Sequence, residues 1–376
     1  MILRGAKVYR SGGFARCDVR IEGESIAAIG EELTGGGVVE IDGYLIPGMI
    51  DVHTHGYGGV DVMDGGDAVL SMSKAYARHG VTAFVPTTAT DPIVETAAAV
   101  QGVARAMAAY EGARVLGVHI EGPFLDDTFR GAHLPSLLLP PTPENLLALC
   151  GGRLDIVRML TIAPELEGAR ETMQFALEHG IVISAGHTAA TYEQAVEAID
   201  AGVSQFTHLF NAMTPILHRA PGVPTAALTD DRATVQLIAD GVHVHPGVLK
   251  MIGRVKTNGI CLITDSLRAA GLADGEYELG GQTVIVRNGE ARLREGNLAG
   301  STITMDEALR RMILFSGLTL EQVVPMTSEI PARSLGLDDT GAIEVGRRAD
   351  LCLLDEALMP AATWVGGKEA YRSRVA

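Results

Sequence analysis

The chain is short of cysteine and of positive charge, and it has no long apolar run. Cys17, Cys150, Cys261 and Cys352 lie far apart with no paired spacing. They read as reduced structural thiols, which predicts a cytoplasmic location. No stretch approaches the roughly 18 consecutive apolar residues of a membrane span. The first ten residues, Met1 to Arg10, lack the apolar core of a signal peptide. A formal charge of −16, with no basic run and no basic amphipathic helix, excludes a nucleic-acid or membrane surface as the expected partner. There is no repeat at a fixed period, no low-complexity segment, and no Ser or Cys elbow that would serve a covalent intermediate.

What is present fits a globular enzyme of the α/β class. At 376 residues the chain exceeds the usual size of a single core, so one large and one smaller domain are expected. Eight segments have the apolar character of buried strands: Leu45–His55, Val81–Thr90, Val115–Glu121, Ile156–Pro164, Ile181–His187, Gln205–His208, Val235–His243 and Ile260–Asp265. Between and after them, Asp67–His79, Pro92–Tyr110, Pro143–Leu149, Glu167–His179, Tyr192–Ala201, Pro246–Lys256 and Met305–Ser316 carry apolar residues at helical spacing. Alternation of strand and helix predicts parallel strands joined by crossover helices, a (β/α)8 TIM-like barrel over residues 45–335. Residues 1–44 and the tail from 336 to 376 read as short strands broken by glycine turns, a small β domain built from both chain ends. A further β-like insert, Tyr277–Leu279, Thr283–Arg287 and Ala291–Arg294, follows the eighth strand.

The strand endings carry the chemistry, because parallel barrels keep their active sites at that face. His53 and His55 are two residues apart on a strand, so both point the same way and can clamp a metal. Glu121 ends the third strand, where an unpaired buried charge would be costly. His187 and His208 end successive strands, and with Glu121 they match a three-ligand site that leaves a position open for water. Asp265 ends the eighth strand, where a carboxylate can take a proton from a metal-activated water and pass it to a leaving nitrogen. The second strand ends on the hydroxyls of Thr87, Thr88 and Thr90, and only the fourth ends without an obvious ligand. His119 alternates to the other side and reads as a packed core histidine. The pattern reads as a metal hydrolase.

The block Pro47-Gly-Met-Ile-Asp-Val-His53-Thr-His55-Gly56 resembles the first-strand signature of the amidohydrolase superfamily. Further blocks are Gly117-Val-His-Ile-Glu121-Gly-Pro-Phe124, Gly131-Ala-His133, Gly186-His-Thr188, His208-Leu-Phe-Asn-Ala-Met213, Ala239-Asp-Gly-Val-His243 and Leu298-Ala-Gly-Ser301. In that order they resemble the N-acetylglucosamine-6-phosphate deacetylase family along nearly the whole chain. The resemblance implies a barrel flanked by a β-sandwich-like domain, a homodimer, and hydrolysis of the acetamide to glucosamine 6-phosphate and acetate. It implies Glu121, His187 and His208 as ligands of a main divalent metal, with Zn2+ expected and Fe2+, Mn2+ or Co2+ as alternatives, and Asp265 as acid/base. Ala132, His133, Asn211, Ala212, His243, Leu298, Ala299 and Gly300 would contact substrate. Arg219 would bind the phosphate in the partner subunit's site. Some members carry Gln and Asn in place of the first-strand histidines and hold one metal; this chain keeps both histidines, so the count stays open between one and two ions. Two other enzyme readings stand beside this one: deacetylation of the galactosamine epimer, and a D-aminoacylase or cyclic-amide hydrolase on the same scaffold.

Overall fold

Apolar and threonine-rich runs form the eight strands at the centre of the fold: β1 (Met49–Thr54), β2 (Val81–Thr88), β3 (Val118–Glu121), β4 (Val157–Ile162), β5 (Val182–Ala185), β6 (Val203–Phe206), β7 (Thr234–Ile238) and β8 (Ile260–Ile263). The computed structural model describes residues 1–256 and 258–373. Each strand pairs in parallel with the next, in chain order. β1, β2, β3 and β8 are buried along their whole length, as strands covered on both faces must be. No ladder joins β1 to β8 among the described residues, and isolated backbone and side-chain hydrogen bonds carry that seam. Asp265 N–H donates to the His53 carbonyl at 2.9 Å. The buried Asp51 carboxylate accepts from the Thr264 hydroxyl at 2.6 Å and from the Thr264 N–H at 3.3 Å.

Seven helices cover the strands in alternation: α1 (Gly66–Ala77), α2 (Ile93–Met107), α3 (Pro143–Leu149), α4 (Ala169–Glu178), α5 (Tyr192–Asp200), α6 (Gly222–Thr229) and α7 (Pro246–Val255); α8 (Met305–Ser316) follows the insert. Their apolar stripes face the strands, and α5 opens with a reciprocal capping box between Thr191 and Gln194. α6 was not expected from the sequence, because Gly222 and Pro224 mask its beginning.

The two chain ends build two further sheets. One has the order Ser25–Gly30, Asp18–Glu22, Ile2–Arg4, Val38–Glu40; the other runs Lys368–Arg372, Pro360–Val365, Leu351–Leu354, Tyr44–Pro47, Lys7–Arg10, Gly13–Arg16. They share a core of Leu3, Val8, Val19, Ile21, Ile26, Leu45, Leu351, Leu353 and Trp364, which is sandwich-like packing. The insert forms an antiparallel sheet of Gly275–Leu279, Gln282–Arg287 and Glu290–Leu293, packed on Ala89, Leu267 and Ala299.

Two strand expectations are corrected. Leu45–His55 is not one strand: Tyr44–Pro47 pairs antiparallel with Leu351–Leu354, and the barrel strand begins at Met49. The break falls at Gly48, where any Cβ would collide with the Thr82 side chain. The strands expected to end on His187, His208 and Asp265 stop two residues earlier, at Ala185, Phe206 and Ile263. All three of these residues have left-handed backbones, with φ of 49°, 30° and 49°.

Candidate metal centre

Those left-handed turns swing the three side chains over the barrel mouth instead of alternating them along a ladder. Non-glycine residues in this region are strained by roughly 1–3 kcal/mol each and cluster at functional sites. Gly186 permits the first turn, since a Cβ there would sit 2.6 Å from Thr207 Cβ.

Four imidazoles converge on one carboxylate. His53 Nε2 lies 3.3 Å, His187 Nε2 3.4 Å and His208 Nε2 3.2 Å from Glu121 Oε1, while His55 Nε2 is 3.1 Å from Glu121 Oε2. His187 and His208 approach each other at 3.0 Å between Nε2 atoms, and His53 and His55 at 3.3 Å. Asp265 Oδ1 stands 3.3 Å from His55 Nε2 and 3.5 Å from His53 Nε2. All six residues are buried.

The opposite ring nitrogens show which tautomer is held. His55 Nδ1 donates to the Thr87 carbonyl at 3.2 Å, His187 Nδ1 to the Phe129 carbonyl at 3.0 Å, and His53 Nδ1 to Gln236 Oε1 at 3.0 Å. With the proton on Nδ1, each Nε2 lone pair is bare and aimed at the centre, the arrangement that orients metal-bound histidines. Glu121 Oε1, fully enclosed, has no hydrogen-bond partner among the described residues. Bare nitrogens and an unpartnered carboxylate oxygen at this separation repel one another unless positive charge sits between them. His53, His55 and Glu121 can hold one ion, and so can Glu121, His133 and His187, the ligand atoms of each group lying within 4.8 Å of one another. The donor set fits a divalent cation.

Electrostatics point the same way. Burial pushes the Glu121 carboxyl up, but the charge of His53 and the close approach of His187 and His208 more than reverse this, leaving it well below the usual range. Burial likewise opposes ionisation of Asp265, and His53 and His55 outweigh it. Burial lowers His53 and His55, yet Glu121 and Asp265 raise both above the ordinary histidine value, so the two carboxylates draw positive charge to the Nε2 side of these rings, whether a proton or a cation supplies it. His133, stacked edge-on against His187 at 4.7 Å, is pushed down to about 3, chiefly by burial and further by the neighbouring His187, so it is a neutral imidazole near pH 7.

A cavity of about 530 Å3 opens over this cluster, of the size that takes a small organic ligand. It is lined by His55, Glu121, His187, His208 and Asp265, and by the expected Ala132, His133, Asn211, Ala212, His243, Leu298, Ala299 and Gly300. His243 Nδ1 donates to Asp240 Oδ2 at 2.6 Å, and the same carboxylate accepts the N–H groups of Val242 and His243 at 2.8 Å. The insert forms part of the wall through Leu279, Gly280 and Arg292, and Gln282 donates from its side chain to the Ala132 carbonyl. His53 lies beneath the cavity, within the cluster.

Arg219 stands apart. It is exposed on the loop between His208 and α6, its guanidinium 2.6 Å from His218 Nε2, and it does not line this chain's cavity. Two arginines not singled out by sequence, Arg130 and Arg292, do line it. Each already has an acidic partner, Asp127 at 3.0 Å and Glu290 at 3.0 Å, and no motif marked either one. His119 is the core histidine that strand alternation predicted, fully buried between the hydroxyls of Thr87 at 3.2 Å and Thr161 at 2.7 Å.

Comparison with known proteins agrees with this geometry. A sequence profile of the Amidohydrolase family matches residues 44–371. An N-acetylgalactosamine-6-phosphate deacetylase of Escherichia coli O157:H7 is 39% identical over 89% of this chain and 89% of its own. An N-acetylglucosamine-6-phosphate deacetylase of Lysinibacillus sphaericus is 37% identical over 96% of this chain and 95% of its own. The solved structure of a mutant N-acetyl-D-glucosamine-6-phosphate deacetylase from Mycobacterium smegmatis, in complex with N-acetyl-D-glucosamine-6-phosphate, superposes with a TM-score of 0.92 at 34% identity, covering 98% of this chain and 99% of that one. The chain belongs to the Amidohydrolase family.

Proposed function

We propose that this protein hydrolyses the acetamide of N-acetylglucosamine 6-phosphate to glucosamine 6-phosphate and acetate. The observation that carries the reading is the convergence of Glu121, His187, His208, His53, His55 and Asp265 beneath a cavity, in a fold shared with a deacetylase solved with that sugar phosphate. Glu121, His187 and His208 would hold the main divalent cation, with Zn2+ the expected occupant, and His53 and His55 a second. A cation held there polarises the amide carbonyl and lowers the pKa of water to about 7. The chain's own groups supply the rest. Asp265, kept ionised, accepts a proton from the attacking water and returns it to the nitrogen as the C–N bond breaks. Neutral His133 donates an N–H to the carbonyl oxygen as negative charge develops there. His243, steadied by Asp240, and the Asn211-Ala212 turn bind the sugar, together with Ala132 and Leu298-Ala299-Gly300.

Residues 1–44 and 336–376, extended by the strand Tyr44–Pro47, form a small β domain in this reading, and the protein works in the cytoplasm as a homodimer. Arg219 reaches its partner's site and grips the phosphate, for which its planar fork is suited. Its position outside its own cavity supports this, as does the exposure of Ile216 and Leu217 on the same loop. Mixing Arg219→Ala with Asp265→Asn subunits should restore activity, since one site of each heterodimer then has both groups. Proven heterodimers without activity would return Arg219 to the surface.

The galactosamine epimer is the second reading, favoured by the 39% identity to the Escherichia coli enzyme. Acetate release from both epimeric phosphates, with and without chelator, tests the proposal. Chelator-sensitive release faster from the glucosamine substrate is expected. Faster release from the galactosamine substrate selects the second reading, and chelator-resistant release rejects the metal centre.

A further inference from the structure

The fourth barrel strand also delivers a carboxylate, three residues beyond its end. Glu165 follows β4 in the turn Ala163-Pro-Glu-Leu166 and reaches sideways to the loop that leaves β5. Its Oε2 accepts from the Thr188 hydroxyl at 2.5 Å, and its Oε1 from the Ala189 N–H at 2.5 Å. These are the two residues after His187. On the other side of that histidine's peptide, the His187 carbonyl accepts from Asp126 N–H at 2.9 Å. His187 is thus pinned through its backbone while held in a left-handed conformation.

The same contacts continue toward the substrate side of the cavity. Thr188 N–H donates to the Ala212 carbonyl at 3.1 Å. The Ala190 carbonyl accepts from Thr214 Oγ1 at 2.8 Å, and Thr214 Oγ1 in turn accepts from Val223 N–H at 3.0 Å. Thr214 and Val223 bracket the loop that carries Arg219. One carboxylate therefore anchors a hydrogen-bonded chain through the loops after the fifth and sixth strands.

We infer that Glu165 is a positioning residue, holding His187 in ligating geometry and fixing the Ala212 turn against it. The inference rests on the reading of Glu121, His187 and His208 as metal ligands. Ionised oxygens are strong acceptors for a hydroxyl and an N–H, and the strain at His187 needs such an anchor to persist. Loss of a group bonded directly to a metal ligand typically weakens metal affinity about 10–100-fold, the upper limit for Glu165, which acts on His187 through Thr188 and Ala189.

The test is competition between metal-free protein and a chromogenic chelator for Zn2+, well below the melting temperature and without substrate. Glu165→Ala should weaken Zn2+ binding about tenfold or more, up to about 100-fold. Glu165→Gln, which still offers one acceptor to Ala189 and a donor to Thr188 Oγ1, should stay within a few-fold of wild type. Glu165→Asp, one methylene too short to reach both partners, should weaken binding as well and stands in if the alanine variant fails to fold. A purely structural role would lower the melting temperature while the folded variants bound Zn2+ as tightly as wild type, and that result overturns the inference. Wild-type protein that takes up no Zn2+ overturns the ligand assignment itself, and this inference with it.

Discussion

Asp265→Asn should leave the fold and the metal centre in place and stop the chemistry. The backbone at Asp265 is left-handed, a region that asparagine tolerates better than other non-glycine residues. Its N–H bond to the His53 carbonyl and the Ser301 N–H bond to its own carbonyl, at 2.9 and 2.7 Å, are both independent of the side chain. What changes is one oxygen: the carboxylate whose Oδ1 lies 3.3 Å from His55 Nε2 becomes an amide that cannot accept a proton. A positioned general acid/base typically contributes about 10²–10⁴-fold, or roughly 3–5 kcal/mol of barrier. The expected outcome is that fall in kcat for acetate release, with metal content by elemental analysis and melting temperature near wild type. A variant that retained kcat within about fivefold, metal bound, would refute the role of Asp265 as proton carrier.

Replacing His53 by Gln and His55 by Asn should lower the metal stoichiometry by about one while some activity remains, because Glu121, His187 and His208 still present three ligands; loss of all metal would contradict the two-site division. Trp364 is fully buried in the core shared by the chain-end sheets, and its Nε1 has no hydrogen-bond partner among the described residues. Trp364→Ala should cost about 3–5 kcal/mol in urea unfolding, whereas Trp364→Phe, which forfeits no hydrogen bond, should cost distinctly less; equal losses would mean that packing is not what the side chain supplies.

Most of the barrel was legible in the sequence because its strands are buried on both faces and read as continuous apolar runs. The same property blurred their limits. The run from Leu45 to His55 crosses Gly48 without any change of polarity, yet it serves two sheets, and only the approach of Thr82 to that glycine reveals the cut. The candidates His187, His208 and Asp265 are legible by residue type, but their placement depends on positive φ angles that no apolar pattern encodes. Glu165 carries no such signal because it lies beyond its strand and acts on a hydroxyl and a backbone N–H across gaps of 23 and 24 residues. Arg130 and Arg292 reach the cavity from a loop and from the insert, whose approach to the barrel mouth is a tertiary fact.

The three left-handed turns also bear on why the centre is built as it is. A ligand that simply ended a strand would inherit the two-residue alternation of the ladder and point along a direction fixed by the sheet. Stopping β5, β6 and β8 two residues early frees His187 and His208 to aim at the Glu121 carboxylate and Asp265 to aim at His53 and His55. That freedom costs backbone strain, and it would let the side chains wander unless something else fixed them. Three Nδ1 contacts, to Thr87, Phe129 and Gln236, fix the rings of His55, His187 and His53, while the seam between β1 and β8 fixes Asp265 against His53. His208 is the exception, for its Nδ1 has no partner among the described residues. Its ring is therefore located by packing and by the charge it faces, so of the four imidazoles it depends most on a cation at the centre.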